Sequence, residues 1–219
     1  MAARPTLTSY SDETVEILKT TSQGKNFLLS GGAGSGKTYS LVETIGAIIA
    51  QSPMARIACI TYTNAATQEI EHRTNHENLY VSTIHDFLWS SIKHFQNELK
   101  TVLIDLINDE NYKAFKIISN NGELEKIHNI DDPIEYKDYL KLRSGIISHD
   151  QIIFLAEEMF SRYPKLCRIL SDSYNFILVD EYQDTSPAVI KILLDHLSKN
   201  NKRNIVGFFG DSMQSIYED

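Results

Sequence analysis

The octapeptide Gly31-Gly32-Ala33-Gly34-Ser35-Gly36-Lys37-Thr38 constrains this chain more than any other segment. It satisfies G-x-x-x-x-G-K-[ST], a loop whose backbone curls so that successive N–H groups face one anion. Asn26-Phe27-Leu28-Leu29-Ser30 before it reads as a short buried strand. After it, Leu41, Val42, Ile45, Ile48 and Ile49 recur at helical spacing. Strand, glycine loop and helix, in that order, add the partial positive charge of a helix N-terminus to the curled loop. Gly31, Gly32, Ala33, Gly34, Ser35 and Gly36 are therefore expected to cradle phosphates. Lys37 would reach the β- and γ-phosphates, and Thr38 would hold Mg²⁺ through its hydroxyl. Five of the ten glycines fall between Gly24 and Gly36, so this loop is the main glycine cluster of the chain.

Further apolar runs at 56–61, 79–82, 175–179 and 204–209 join 26–30 as expected buried strands. Helical patterns lie between most of them, at 38–50 and at 150–160, where Ile152, Ile153, Leu155, Ala156, Met159 and Phe160 form one face. A third pattern follows Ser186-Pro187, an N-cap with proline at the first helical position. The alternation predicts an α/β fold with a mostly parallel sheet flanked by helices. The stretch 97–147 differs: it is polar and charge-mixed, helical in pattern over 98–109 and 135–146. Asn120-Asn121-Gly122 and Asp131-Asp132-Pro133 break it as turns. We read it as a helical insertion between two strands of the nucleotide-binding core; the alternative is that its helices cover one sheet face.

A chain of 219 residues with 42% hydrophobic and 23% charged content can bury a core as one domain, or one domain plus an insertion. Its formal net charge of −8 argues against a broad polycationic surface for nucleic acid but leaves room for a narrow aromatic groove. Cys59 and Cys167 show no C-x-x-C spacing, which suits a reducing cytosol. No run is long enough to span a membrane and no leader pattern stands at the start, so no membrane partner and a cytoplasmic location are expected. His72 and His76 are four apart without a suitably spaced third ligand, and read as a solvated helix face.

Phe176-Ile177-Leu178-Val179 delivers Asp180 and Glu181 at the end of a strand, the edge where open parallel sheets bind ligands. Asp180 suits a metal ion through its water shell, and Glu181 suits a general base that activates water. Such a pair belongs with phosphate-loop ATPases that carry the base beside the metal acid.

The continuation Asp180-Glu181-Tyr182-Gln183-Asp184-Thr185-Ser186 resembles the second motif of UvrD/Rep-type superfamily 1 helicases. Ile60-Thr61-Tyr62-Thr63-Asn64-Ala65-Ala66 resembles the family's TFTNKAA block, and Ser82-Thr83-Ile84-His85-Asp86-Phe87 its T-[FI]-H-S-F block. His149-Asp150 through Leu155 resembles the helix that leads into the acidic strand, and Gly210 through Tyr217 resembles GDxxQSIY. The resemblance runs from Gly31 to Tyr217. It implies a RecA-like ATPase domain over 1–96 and 148–219, with the insertion at 97–147, using ATP and Mg²⁺. It also implies that Gln214 contacts the γ-phosphate. Thr61, Tyr62, Thr63 and Asn64, with His85, would lie along single-stranded DNA, where Tyr62 offers a stacking face.

The chain departs from the family at three places. Ser11-Asp12-Glu13-Thr14-Val15 lacks the glutamine that reads adenine, Ala65 replaces a lysine, and Glu218-Asp219 replace an Arg-aromatic-Arg run. The expected function is the N-terminal ATPase portion of a DNA helicase or translocase. The second RecA-like domain would be absent, so the isolated piece would hydrolyse ATP slowly and unwind nothing. The alternative, motivated by the acidic balance and the departures, is a nucleotide-gated sensor that binds a protein partner. A nuclease following the ATPase portion is a third arrangement.

Overall fold

Apolar runs with almost no polar residue to turn outward can only be strands covered on both faces, and here they occupy the middle of a sheet. The computed structural model describes residues 10–31, 36–119, 121–199 and 204–211. Strands β1 (Phe27–Ser30), β2 (Ile57–Thr61), β3 (Leu79–Thr83), β4 (Phe176–Val179) and β5 (Ile205–Gly210) form one parallel sheet in the order β1-β5-β4-β2-β3. The interior strand β2 is buried throughout, whereas edge strand β1 alternates and leaves Leu28 52% exposed. The α/β architecture with a parallel sheet is the one expected from the alternating pattern.

The helices described are α1 (Asp12–Ser22), α2 (Lys37–Gln51), α3 (Asn64–Arg73), α4 (Ile84–Ile92), α5 (Gln96–Asn108), α6 (His149–Arg162), α7 (Pro164–Ser173) and α8 (Pro187–Lys191). The chain forms two compact units: Met1–Ile84 with Arg168–Asp219, and His85–Cys167.

In the first unit, α1, α2 and α3 bury Ile17, Leu18, Leu41, Ile45, Ile48 and Ile70 in one cluster with Ile57, Cys59, Leu178 and Phe209 of the sheet. Glu43 of α2 ties α1 down. Its Oε2 accepts from the Ser11 N–H at 3.1 Å, from the Thr14 hydroxyl at 2.6 Å and from the Ser11 hydroxyl. Ser186 caps α8 by accepting from the Ala188 N–H. The helix expected beyond it does not stay regular: it widens into a π turn over Ile192–His196 and tightens to 3₁₀ over Leu197–Lys199. Ile192, Leu193, His196 and Leu197 are buried there, so the irregular turns still serve an inward face.

The second unit is built on α5 and α6. Leu99, Val102, Leu103, Leu106 and Ile107 form the buried stripe of α5; Ile152, Leu155, Ala156, Met159 and Phe160 form that of α6. Two amides at the ends of α5 hold the following loop. Gln96 accepts from the Ile134 N–H at 2.7 Å and donates to its carbonyl at 3.2 Å; Asn108 does the same with Ile127, at 3.0 and 2.8 Å. This explains why 135–146 is not the helix its pattern suggested. The Gln96 ties to Ile134 and the pairing of 135–136 with 146–147 set this backbone, and such tertiary ties override weak local preference. Glu135–Tyr136 instead pairs in parallel with Ile146–Ile147, and Leu142–Ser144 forms a 3₁₀ turn. Among the described residues no helix is long and apolar enough to cross a membrane.

Burial opposes the charge of Glu43, but the Ser11 and Thr14 donors outweigh it and hold the carboxyl below its usual range. A folded-state pKa below the unfolded one contributes stability above the ordinary value of 4.5 and loses it as pH falls through the lower one. Glu43→Gln is therefore expected to lower stability by about 1 kcal/mol at neutral pH, with the deficit shrinking at acidic pH as the carboxyl protonates. Thermal unfolding of both proteins at neutral and acidic pH checks this.

Candidate functional site

The register of the sheet brings the ends of the strands level. Ser30 of β1 stands beside Gly210 of β5, and Val179 of β4 lies between Phe208 and Ile60. The segments leaving β1, β2 and β4 thus start from one edge. A cleft of about 590 Å³ opens there, lined by Lys37, Thr38, Tyr62, Thr63, Ala65, Ala66, Glu69, Asp180, Glu181, Gln183 and Asp184.

Gly36 starts α2 from a left-handed conformation (φ 80°), which a residue with a Cβ adopts only with strain. Lys37 and Thr38 follow as the first residues of that helix. The Lys37 Nζ donates to the Gly31 carbonyl at 2.8 Å, and the Gly31 N–H donates to the Gly210 carbonyl at 3.0 Å. Gly32, Ala33, Gly34 and Ser35 lie outside the described residues, as do Gln214, Glu218 and Asp219.

Asp180 follows β4 directly and is 3% exposed. Its N–H donates to the Ile60 carbonyl at 2.8 Å, which holds it against β2. Burial, then the Glu181 charge, push its carboxyl up to about 6; the Glu181 N–H, 3.1 Å from Oδ1, and the Lys37 charge work the other way, and Glu69 adds to the rise. The same burial and the Asp180 charge push the Cys59 thiol well above its usual range. Glu181 is the one non-glycine residue with positive φ (49°) among those described. Its carboxylate accepts from the Gln183 side-chain amide at 2.6 Å. Glu69 is held from the other side by Arg73 at 2.8 Å.

The donors of this cleft are hard oxygens, a hydroxyl at Thr38 and carboxylates at Asp180 and Glu181, which is the chemistry Mg²⁺ takes up. A divalent cation would also offset the like charges that make the Asp180 carboxylate unfavourable. The residues present fit that group.

The four residues Thr61, Tyr62, Thr63 and Asn64 belong to the first unit, and His85 to the second. Thr61 is fully buried, its hydroxyl shared with Thr67 at 2.8 Å and the Thr63 carbonyl at 3.1 Å. Thr63 caps α3, accepting from the Ala66 N–H at 3.2 Å. Tyr62 is 55% exposed, and with Thr63 it lines the cleft that holds Lys37 and Asp180. In the second unit the rings of His85 and His149 stack at 4.5 Å and 10°, with Tyr136 tilted against His149. Burial and the adjacent His149 hold the His85 pKa below its usual value.

Sequence reasoning did not single out Glu69, Gln183 or Asp184 as parts of the site. Gln183 and Asp184 stand inside the acidic block 180–186. Glu69 lies on α3 one turn after Ala65 and Ala66, a spacing that returns it to their face of the helix.

A parallel sheet that leads a Gly-Lys-Thr helix start and an acidic pair into one cleft defines a P-loop NTPase fold. The chain belongs to the family described as AAA domain, whose model matches residues 14–219. Over most of its length it is homologous to PcrA/UvrD-type DNA helicases, as the motif blocks implied. The Gabija protein GajB of Bacillus cereus (strain HuB5-5) is 28% identical over 93% of this chain and 43% of its own length. An ATP-dependent DNA helicase PcrA of Staphylococcus epidermidis (strain RP62A) is 26% identical over 94% of this chain and 34% of its own. A probable DNA helicase II homolog of Rickettsia felis is 28% identical over 87% of this chain and 35% of its own. The chain thus spans less than half the length of these relatives.

Because Asp180 is buried beside other acids, removing its charge is expected to relieve the apo fold. In protein free of nucleotide and Mg²⁺ at neutral pH, Asp180→Asn should be more stable than the parent by about 1–3 kcal/mol. Chemical denaturation checks it; a less stable variant would mean the carboxylate is better satisfied than its surroundings indicate.

Proposed function

We propose that this chain is the ATP-binding and ATP-hydrolysing part of a superfamily 1 helicase or translocase that moves on single-stranded DNA. The observation that carries this reading is the single cleft into which α2 brings Lys37 and Thr38 and β4 brings Asp180 and Glu181. The glycine loop from Gly31 to Gly36 would wrap the phosphates. Lys37, which bonds the Gly31 carbonyl, would exchange that partner for phosphate oxygens and offset charge as it develops. Thr38 and Asp180 would hold Mg²⁺, which would supply positive charge to offset that of the phosphates. Glu181, beside the metal acid and oriented by Gln183, would take the proton of the attacking water. Gln214 would contact the γ-phosphate.

The DNA side of the reading rests on homology to helicases and on Tyr62, an exposed aromatic directly after β2. Tyr62 also borders the nucleotide cleft, so a base stacked on it would lie close to the site of hydrolysis. Thr63 and Asn64 at the start of α3, with His85, would meet the DNA backbone; Thr61, being buried, would act by holding the Thr63 backbone. A cytoplasmic location accords with Cys59 and Cys167 being buried thiols rather than a disulfide. The net charge of −8 favours a second reading, a nucleotide-gated module that binds a protein partner and does not move on DNA.

ATP turnover of the full natural chain, measured with and without single-stranded DNA, separates the two: strong stimulation supports the motor, and indifference supports the module. Within either reading, Glu181→Gln is expected to lower turnover by at least about 10²-fold while leaving Mg·ATP affinity unchanged. Turnover like that of the parent would remove Glu181 from the role of base.

A further inference from the structure

We infer that Gln183 is the positioning residue that fixes the Glu181 carboxylate and ties its orientation to the end of β5; this rests on the reading of Glu181 as the base. Gln183 lies in the 3₁₀ turn Tyr182–Asp184 and is 5% exposed. Both ends of its amide are used. The Nε2 donates to Glu181 Oε2 at 2.6 Å, and the Oε1 accepts from the Asp211 N–H at 3.0 Å. These partners also fix which end of the amide is which, because a backbone N–H can only donate and a carboxylate only accept. Among the described residues, no other side chain bonds the Glu181 carboxylate.

The approach is built into β5 as well. A Cβ at Gly210 would lie 2.2 Å from Gln183 Oε1 and 2.4 Å from Tyr182 Cδ1, so no residue with a side chain leaves Gln183 where it is. The Gly210 carbonyl in turn accepts from the Gly31 N–H at the start of the phosphate loop. One continuous path of short contacts therefore runs from the loop, through Gly210 and Asp211, to Gln183 and the base. A Glu side chain has three rotatable bonds, and a general base must hold one orientation towards its water. A charge-assisted bond from a buried amide selects that orientation. Because the same amide is anchored on Asp211, a shift of the backbone there moves the donor and releases the carboxylate.

The test measures ATP turnover with single-stranded DNA and Mg-nucleotide binding in the full natural chain. Glu181→Gln is measured first; normal turnover there would overturn the base assignment itself and is read independently of Gln183. Gln183→Met keeps the volume and removes both bonds. It is expected to lower kcat by about 10- to 100-fold and to leave the nucleotide Kd within about twofold. Gln183→Glu keeps the acceptor for Asp211, removes the donor to Glu181 and is nearly the same shape. It is expected to lose at least as much kcat, and it carries the test if the Met variant does not fold. Gly210→Ala should reproduce the kcat loss from the β5 side. Adding Gln183→Met to Glu181→Gln should lower the residual rate no further. Parent-like kcat in either Gln183 variant would overturn the inference. So would a loss confined to nucleotide affinity, or a loss that multiplies onto that of Glu181→Gln, since each would mean that Gln183 does not act through the base.

Discussion

Asp180 is 3% exposed, the Glu181 and Glu69 charges disfavour its ionisation, and Lys37 offsets them. An acid in that position is ionised only against burial, so the surrounding groups decide whether it can hold a metal. Two backbone bonds keep it in place, one to the Ile60 carbonyl and one from the Glu181 N–H. Neither supplies a positive charge. The charge has to come from α2 through Lys37 or from a bound cation. The cleft thus favours added positive charge, and the acid that destabilises the fold is the one that makes it so.

Parallel strands are what allow this. With β1, β5, β4 and β2 running the same way and in register, four chain segments turn away from one edge, and groups far apart in sequence meet there. The central strands must then be largely apolar on both faces, which concentrates the chemistry at their ends and in the turns. Asp180, Tyr62 and Asp211 each come directly after the last residue of a strand, and Gly31 directly follows β1. The second unit has none of this regularity. It is held by amide-to-backbone pairs at Gln96 and Asn108 and by Arg162 between Asp105 and Glu158, contacts that depend on single side chains.

What the sequence makes legible follows from that division. The strands of the sheet are short apolar runs with turn signals around them, and a period-free run bounded by Gly, Asn or Pro is a strong local sign. Ser186-Pro187 reads as a helix start because capping is local, and Ser186 does accept the Ala188 N–H. The pairing of Gln183 with Asp211 crosses 28 residues and depends on Gly210 having no side chain, so no local pattern contains it. The region 135–146 fails for the same reason: the Gln96 tie to Ile134 crosses 38 residues and overrides a helical pattern that is real in the sequence. Tyr62 is legible as a strand-end aromatic, but its exposure and its place on the cleft follow from the β2–β4 pairing and not from its neighbours.

The left-handed backbone at Glu181 is where these constraints meet. An L-residue with a Cβ costs about 1 kcal/mol or more at φ 49°, and every residue with a side chain would pay it there. The conformation follows from Asp180: with one Asp180 oxygen taken by the Glu181 N–H, and the Asp184 and Thr185 N–H groups closing back on the Glu181 and Tyr182 carbonyls, the chain has to reverse within one residue of the strand end. A glycine would relieve the strain but remove the carboxylate. The strain is tolerated because Ile177, Leu178 and Val179 behind it are buried, and because the reversal delivers Gln183 to a place from which it reaches both Glu181 and Asp211. A rigid strand therefore stores the strain, and the short turn after it converts that rigidity into a fixed direction for one carboxylate.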